Sequence, residues 1–514
     1  MSTPFTRRDF LKLASALPLG YLTARMSKSL NGEKKNVLIV VFDAWSACNV
    51  SLYGYPRETT PNLARLAERA IVYHNHHAGG NFTTPGTASL LTGTLPWSHR
   101  AFELNARVES SFAQKNIFHA FPGHHRMAYT HNSVADIFLK QFSADLDEWI
   151  PRPEYYLTSD AYLTDLFGGD EDIAAVSWVR IMKKGDQGYA YSLFLSRLYE
   201  MLHARDLAEV QQLFPRGMPV VNGDNFFILE QAIDGLEART EQAASPFLGY
   251  FHFLPPHHPY HTHRDFNGFF KGDGFTTSEK PVDMFSGNNP SSDPMQTNVT
   301  GESMLDDRRH YDEFILYADR EFGRLFDMLD ASGILKDTWL VLTSDHGEMF
   351  ERGIVGHATP VLYEPVIHVP LMIFEPGRTQ RLDIHTPTSA ADLLPTLLHV
   401  TDQPSAPWTE GQVLPPFVDS TLERAVYAVD SRHTGLRTPI KEGTLSQVKG
   451  RYKLMYFFGY PELKGAERVE LYDLEADSEE LTDLSASQPE LTKQLLDELK
   501  AKLAEVNQRV ESSS

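Results

Sequence analysis

The sequence predicts an α/β protein built on a large, mainly parallel sheet flanked by helices. Three observations carry this. Asn36-Val37-Leu38-Ile39-Val40-Val41-Phe42 is a continuous apolar, β-branched run, the pattern of a strand buried on both faces of a parallel sheet. Thr338-Trp339-Leu340-Val341-Leu342-Thr343 is a second such run. Stretches with 3.6-residue apolar spacing, such as Thr60–Ala67 and Tyr311–Leu329, predict the covering helices.

Composition narrows the class. A chain of 514 residues, 42% of them hydrophobic, has material for a large core. A net charge of −21 argues against a nucleic-acid partner. The single cysteine, Cys48, excludes an intrachain disulfide and any cysteine-based metal cage. Beyond the N-terminus no run is long enough to cross a bilayer. There, Thr6-Arg7-Arg8-Asp9-Phe10-Leu11-Lys12 and the apolar stretch Leu13 to Leu22 resemble a twin-arginine export signal. That pathway carries folded proteins, so residues 1–31 are set apart from the fold and a periplasmic or extracellular location is expected. Leu22-Thr23-Ala24 is only a partial cleavage site, which leaves both a cut signal and an uncleaved anchor open.

Taken in order, the first buried strand ends in Asp43, at the sheet edge where ligands of open α/β sheets collect. Thr60-Pro61-Asn62-Leu63 opens a helix with Pro in its first turn. His74, His76 and His77 read as an alternating strand carrying two solvated histidines. Thr83-Thr84-Pro85-Gly86-Thr87-Ala88-Ser89-Leu90-Leu91-Thr92-Gly93 is a hydroxyl-bearing loop that runs into a helix. Unpaired N–H groups at such a mouth favour anions. A capping Thr is the structural alternative. Thr84, before Pro85, is expected to be extended and to point elsewhere. Thr130-His131-Asn132 reads as the end of another strand, and residues 134–245 as an insertion or covering segment. The strand Pro246 to Phe253 leads into Pro255-Pro256-His257-His258-Pro259-Tyr260. Residues 265–305 are polar and rich in Gly, Pro, Ser and Asn, as in a long loop or lid. The second buried strand ends in Ser344-Asp345-His346-Gly347-Glu348, and Gly353-Ile354-Val355-Gly356-His357 follows. From 401 to 514 come short strands, such as Tyr452 to Tyr456 and Glu470 to Leu474, and a charged amphipathic helix from Glu490 to Val506.

This order of motifs resembles the sulfatase family of the alkaline phosphatase superfamily. That family carries a C/S-x-P-S-R-A-S-L-L-T-G signature whose first residue is the nucleophile. Here Thr83 holds that place, Gly86 replaces Ser and Thr87 replaces Arg. The resemblance is to a threonine-bearing branch, in which the side chain acts unmodified because formylglycine needs Cys or Ser. It implies a catalytic domain over residues 34–400 with a large mixed, mainly parallel sheet, and a small antiparallel C-terminal subdomain with a terminal helix over 401–514. It implies that Asp43, Thr83, Asp345 and His346 converge on one divalent metal ion. Family habit points to Ca²⁺, while an imidazole among three oxygens points to Mn²⁺ or Zn²⁺. Where many members have a second Asp after the first, this chain has Ala44. His257 stands in the family's P-H-x-P-Y element, and His357 matches a histidine near the leaving group; both are candidate catalytic residues with Thr83. No Lys lies between Asp345 and Pro376, where several sulfatases use one to bind sulfate.

The resulting expectation is a metal-dependent hydrolase of small anionic sulfate, phosphate or phosphonate esters. Two alternatives stand beside it: a phosphoryl-alcohol transferase of the same superfamily, and a non-catalytic protein that keeps the fold. Substrate and oligomeric state are not legible in the sequence.

Overall fold

The computed structural model describes residues 35–157, 208, 210–221, 226–286, 301–418 and 424–512. The export-signal segment and most of the apolar stretch Leu193 to Leu213 lie outside the described residues. The large sheet is built from β1 (Asn36–Asp43), β2 (Ile71–Tyr73), β3 (His125–Thr130), β4 (Glu148–Trp149), β5 (Phe247–Pro256), β6 (Thr338–Thr343), β7 (Leu371–Phe374) and β8 (Leu382–Ile384). Their order across the sheet is β8-β2-β7-β6-β1-β5-β3-β4. β7 runs antiparallel to both its neighbours, and every other pairing is parallel.

β1 is central and all eight of its residues are buried. Alternate side chains enter opposite cores, as strand geometry requires. Leu38, Val40 and Phe42 pack with Tyr311, Phe314, Phe322 and Leu325 of a long helix. Val37, Ile39 and Val41 pack on the other face with Leu90, Leu91, Leu394 and Leu397. The helices concerned are α1 (Pro61–Ala67), α2 (Thr83–Thr92), α3 (Ser133–Gln141), α4 (Leu229–Gln242), α5 (Gly301–Ser332) and α6 (Leu393–Val400).

α5 begins at Gly301, so the last residues of the expected 265–305 loop are already helical. The span 134–245 also does more than cover the fold. β4 extends the sheet beside β3, and Leu229, Ala232, Ile233 and Leu236 of α4 enter the core. The histidine run departs further from expectation. His76 and His77 are 1% and 2% exposed, not solvated. Their short strand pairs in parallel with Thr388–Ser389, more than three hundred residues away. His76 Nδ1 meets Thr388 Oγ1 at 2.9 Å and His77 Nε2 meets Glu364 at 3.3 Å.

The small C-terminal sheet is fully antiparallel and made of β9 (Ala425–Asp430), β10 (Gly443–Lys449), β11 (Tyr452–Phe458) and β12 (Arg468–Asp473). One face carries Leu445, Leu454 and Leu471 against Leu495 and Leu499 of α7 (Pro489–Ser512). The other face packs Met455, Phe457 and Tyr472 against Met349, Ile354 and Leu362, beside the sheet edge where Asp345 lies.

α2 packs closely against that edge. A Cβ on Gly86 would lie 2.1 Å from the Asp345 carbonyl oxygen, a backbone atom that cannot swing away. Gly86→Ala should therefore push α2 off the Asp345 turn and lower stability by about 1–3 kcal/mol. Denaturant unfolding of this variant, with divalent-ion binding measured in parallel, checks that both properties fall together.

Candidate active site

The parallel pairing of β1 with β6 decides the site. Val41 is opposite Thr343, so both chains leave the sheet at the same edge and carry Asp43 and Asp345 out side by side. The turn after β1 is held by contacts from elsewhere. Ala44 has φ 60°, a left-handed conformation costly for a residue with a Cβ. The Tyr311 hydroxyl donates to the Ala44 carbonyl and accepts from Ser46 N at 2.8 Å. Trp45 N donates to Ser344 Oγ at 2.9 Å, which ties the two strand ends together.

Asp43, Asp345 and His346 present ligand atoms within 4.8 Å of one another, all fully buried. His346 Nε2 lies 3.2 Å from Asp43 Oδ1 and 3.3 Å from Thr83 Oγ1. Its Nδ1 meets the Gly347 carbonyl at 2.8 Å, so Nδ1 is the donor and Nε2 faces the cluster. Thr83 is the first residue of α2. The cap position is Phe82, with no side-chain capping bond. Thr87, one turn later on the same helix face, donates to Asp345 Oδ2 at 3.1 Å. Thr84 is helical rather than extended, although it precedes Pro85. The first turn of a helix has no upstream carbonyl for a proline ring to displace, so the proline fits there.

The electrostatics are those of an acidic cluster held by imidazoles. Burial alone would raise the Asp43 carboxyl; His257, His252 and His346 outweigh it and hold it well below the usual carboxylate range. Burial pulls the His346 imidazole down, but the Asp345 and Asp43 carboxylates carry it up to about 9. Among the described residues no Lys or Arg pairs with Asp43 or Asp345. Asp43 Oδ1 accepts no hydrogen bond of good geometry. Two buried carboxylates, one orphaned oxygen and the neighbouring imidazole edges of His346 and His252 suit a divalent cation.

A cavity of about 360 Å³ opens over this cluster. His257 and His357 line it, with ring centroids 4.9 Å apart and His357 4.3 Å from His346. His357 Nδ1 donates to Glu348 Oε1 at 3.0 Å, which orients the ring. Burial lowers the His357 imidazole despite that carboxylate.

Four residues at the site were not singled out from the sequence. Asn132, two residues beyond the end of β3, donates to Asp43 Oδ2 and, at 3.3 Å, to Thr83 Oγ1. The signal that marked Asp43, a polar residue at the end of a buried strand, also marks Asn132. Glu348 lies two residues beyond His346. His252 is a lone polar side chain in the apolar strand β5, close to both carboxylates. Arg432 lines the cavity from the C-terminal sheet, and no local pattern marks it.

The sulfatase family model matches residues 35–403. The chain belongs to the sulfatase family. A relative, the choline-sulfatase of Rhizobium meliloti (strain 1021), is 28% identical over 472 residues, covering 88% of this chain and 82% of its own. Among solved structures, the phosphonate monoester hydrolase of Agrobacterium radiobacter superposes with a TM-score of 0.65 at 18% identity, covering 92% of this chain and 96% of that one. The corresponding enzyme from Silicibacter pomeroyi gives 0.62 at 17% identity, with 90% and 95% covered. This sulfatase is thus an ester hydrolase of the sulfuric or phosphoric class, on a mixed α/β fold with a separate small antiparallel sheet. Among the described residues no helix is long and apolar enough to cross a membrane.

Because the His346 imidazole stands raised to about 9, an ion entering this sulfatase must displace its proton. Mn²⁺ binding at pH 7 in dilute buffer should release about one proton per ion. Affinity should rise about tenfold per pH unit from 7 to 8 and level off above 9. Without metal the sign reverses. The raised imidazole stabilises the fold fully below its ordinary pKa near 6.5, and that contribution is lost as pH climbs through about 9. Calorimetric titration in two buffers of different ionisation enthalpy, and unfolding of chelated protein across this range, check both statements.

Proposed function

We propose that this protein is a metal-dependent sulfatase-like hydrolase of small anionic esters, with Thr83 as an unmodified nucleophile. The observation that carries the reading is the placement of Thr83 Oγ1. It stands at the first turn of α2, 3.3 Å from His346 Nε2 and 3.3 Å from Asn132 Nδ2, beside two buried carboxylates that have no Lys or Arg partner among the described residues. A divalent ion held by Asp43, Asp345, His346 and Thr83 would supply Lewis acidity, polarising the ester and lowering the Thr83 hydroxyl pKa.

The remaining chemistry belongs to the chain. Asn132 donates to Thr83 Oγ1 and so holds its lone pairs in place. Thr83 gives its hydroxyl proton to the cavity-facing nitrogen of the neutral His357 ring, or of His257 beside it, and forms a bond to sulfur or phosphorus as the bond to the leaving oxygen breaks in line. The ring that took the proton, His357 held by Glu348 or His257 beside it, is placed to pass it to the leaving alkoxide. Water then attacks the threonine ester, and the same imidazoles take its proton. The free N–H groups of the first turn of α2 and the guanidinium of Arg432 favour the ester's anionic oxygens.

The choline-sulfatase relative favours sulfate among the substrates. The threonine in place of Cys or Ser keeps phosphate and phosphonate esters in play. Assay of metal-defined protein against aryl sulfates, choline sulfate, phosphate mono- and diesters and phosphonate monoesters tests the reading. Absence of turnover on all of them would favour the non-catalytic alternative. Product partitioning to an added alcohol would favour the transferase.

Thr83→Ala should remove turnover by about three orders of magnitude or more, because no other group completes the covalent step. Mn²⁺ affinity should fall by less than about tenfold, since carboxylates and imidazole supply most of the attraction. Thr83→Ser, which keeps the hydroxyl, should retain part of the activity. A Thr83→Ala protein that stays active and loses only about 0.5–2 kcal/mol of stability would restore the capping role instead.

A further inference from the structure

His252 is the one member of the cluster that the preceding chemistry leaves unused. It is fully buried in the middle of β5, and its Nε2 makes no hydrogen bond of good geometry. That nitrogen lies 3.6 Å from Asp43 Oδ2 and 3.7 Å from Asp345 Oδ2. His346 Nε2 lies 3.2 Å from the other oxygen of Asp43 and 3.8 Å from the same Asp345 Oδ2. The two imidazoles therefore take one oxygen of Asp43 each and share an oxygen of Asp345. Donor atoms around one ion, at bonds of about 2.0–2.2 Å, stand roughly 3–3.5 Å apart. The His252 separations need only a small contraction to meet that.

Hydrogen bonds behind the ring orient it. The Thr87 hydroxyl donates to Asp345 Oδ2 at 3.1 Å. The Tyr250 hydroxyl meets the Thr87 side chain and lies 3.2 Å from His252 Nδ1. Nδ1 is thereby engaged, and Nε2 is the nitrogen turned to the two carboxylates, with no hydrogen bond of good geometry. A nitrogen and carboxylate oxygens gathered in this way are the donor atoms of a cation standing between them.

We propose that His252 Nε2 is a further ligand of the ion held by Asp43, Asp345 and His346, oriented by Tyr250 and Thr87, and that this second imidazole turns the site from Ca²⁺ towards Mn²⁺ or Zn²⁺. The inference rests on the metal-site reading above. It also gives Thr87, which stands where the family has Arg, a function of its own. It holds Asp345 and, through Tyr250, the imidazole that ligates. Two imidazoles with two carboxylates and a hydroxyl form a borderline donor set that all-oxygen Ca²⁺ sites avoid.

Pulsed electron paramagnetic resonance of the Mn²⁺-loaded wild-type protein tests this directly. Two inequivalent imidazole ¹⁴N couplings are expected. A single coupling overturns the proposal, as does a stoichiometry of two ions per chain, and neither result requires a variant to fold. His252→Gln should remove one coupling and lower Mn²⁺ affinity by at least about 10–100-fold. Ca²⁺ affinity should change by less than about threefold, because that ion takes oxygen donors. Tyr250→Phe should keep both couplings while Mn²⁺ affinity drops by a smaller factor. Equal losses for Mn²⁺ and Ca²⁺ in His252→Gln would make the ring a structural clamp and overturn the proposal. Wild-type protein that binds no divalent ion would overturn the metal site as a whole. Two couplings in a protein inert towards every ester would leave this inference standing and remove the hydrolase reading alone.

Discussion

Two carboxylates emerge together from the buried edge of a parallel sheet, and the rest of the site answers that fact. Asp43 and Asp345 are both fully buried, and like charges so placed repel while each is stripped of water. Surface burial cannot be traded away here, because the register of β1 on β6 fixes where both chains leave the sheet. What offsets the repulsion is arranged around it: the imidazole of His346, the amide of Asn132, the hydroxyl of Thr87 and the first turn of α2. Tyr311 has the complementary task of holding Ala44 in its left-handed turn, so that Asp43 faces inward while the chain departs.

The C-terminal sheet forms the outer wall of this site as well as a subdomain of its own. Lys453 of β11 is completely buried and pairs with Glu364 and Glu480, each at 2.8 Å. Glu364 lies in the segment that packs over the Asp345 turn, where Gly347 N donates to the Val366 carbonyl at 2.9 Å. A buried triad of this kind contributes little net stability, but it is expensive to break once formed, so it fixes geometry. Thr444 donates to the Pro360 carbonyl at 2.6 Å, Arg432 to Ala358, and Asn81 to the His357 carbonyl at 2.9 Å. The loop that presents His357 is therefore gripped from both the large and the small sheet.

How far the sequence could be read follows from these contacts. Asp43, Asp345 and His346 stand out because a polar residue directly after a continuous apolar run has little structural reason to be there. The same rule applies to Asn132, and a weaker form of it to His252, a single polar residue within Phe247–Pro256. The loop-to-helix pattern alone left Thr83 open as a cap, and the family resemblance marked it; Thr87 entered only as the residue that replaces Arg. His76 and His77 misled because an alternating pattern implies a solvent face only when nothing distant covers it. Here Thr388–Ser389 and the Glu364 segment do. Arg432 could not be read at all, since its approach depends on how a separate sheet docks against the loop after Glu348.

The departures from the family signature also balance in charge. Ala44 removes a carboxylate that many sulfatases place beside the first aspartate, and Thr87 removes a guanidinium. Two carboxylates facing one divalent ion, as proposed, would then be close to neutral before any ester arrives. Attraction for an anionic substrate must come from the rim of the cavity instead of its floor. His257, His258, His357 and Arg432 are the basic groups there among the described residues, and the positive end of α2 completes the rim. Arg432 is itself tempered by Asp430, which accepts from its Nε at 3.0 Å, and its guanidinium lies 5.8 Å from the Phe82 ring, next to Thr83. A rim of imidazoles and one restrained guanidinium holds an anion less tightly than a buried Arg beside the nucleophile would. Under the proposed reading such a site would rely more on positioning Thr83, which Asn132, His346 and the first turn of α2 surround, than on binding the sulfate or phosphate group.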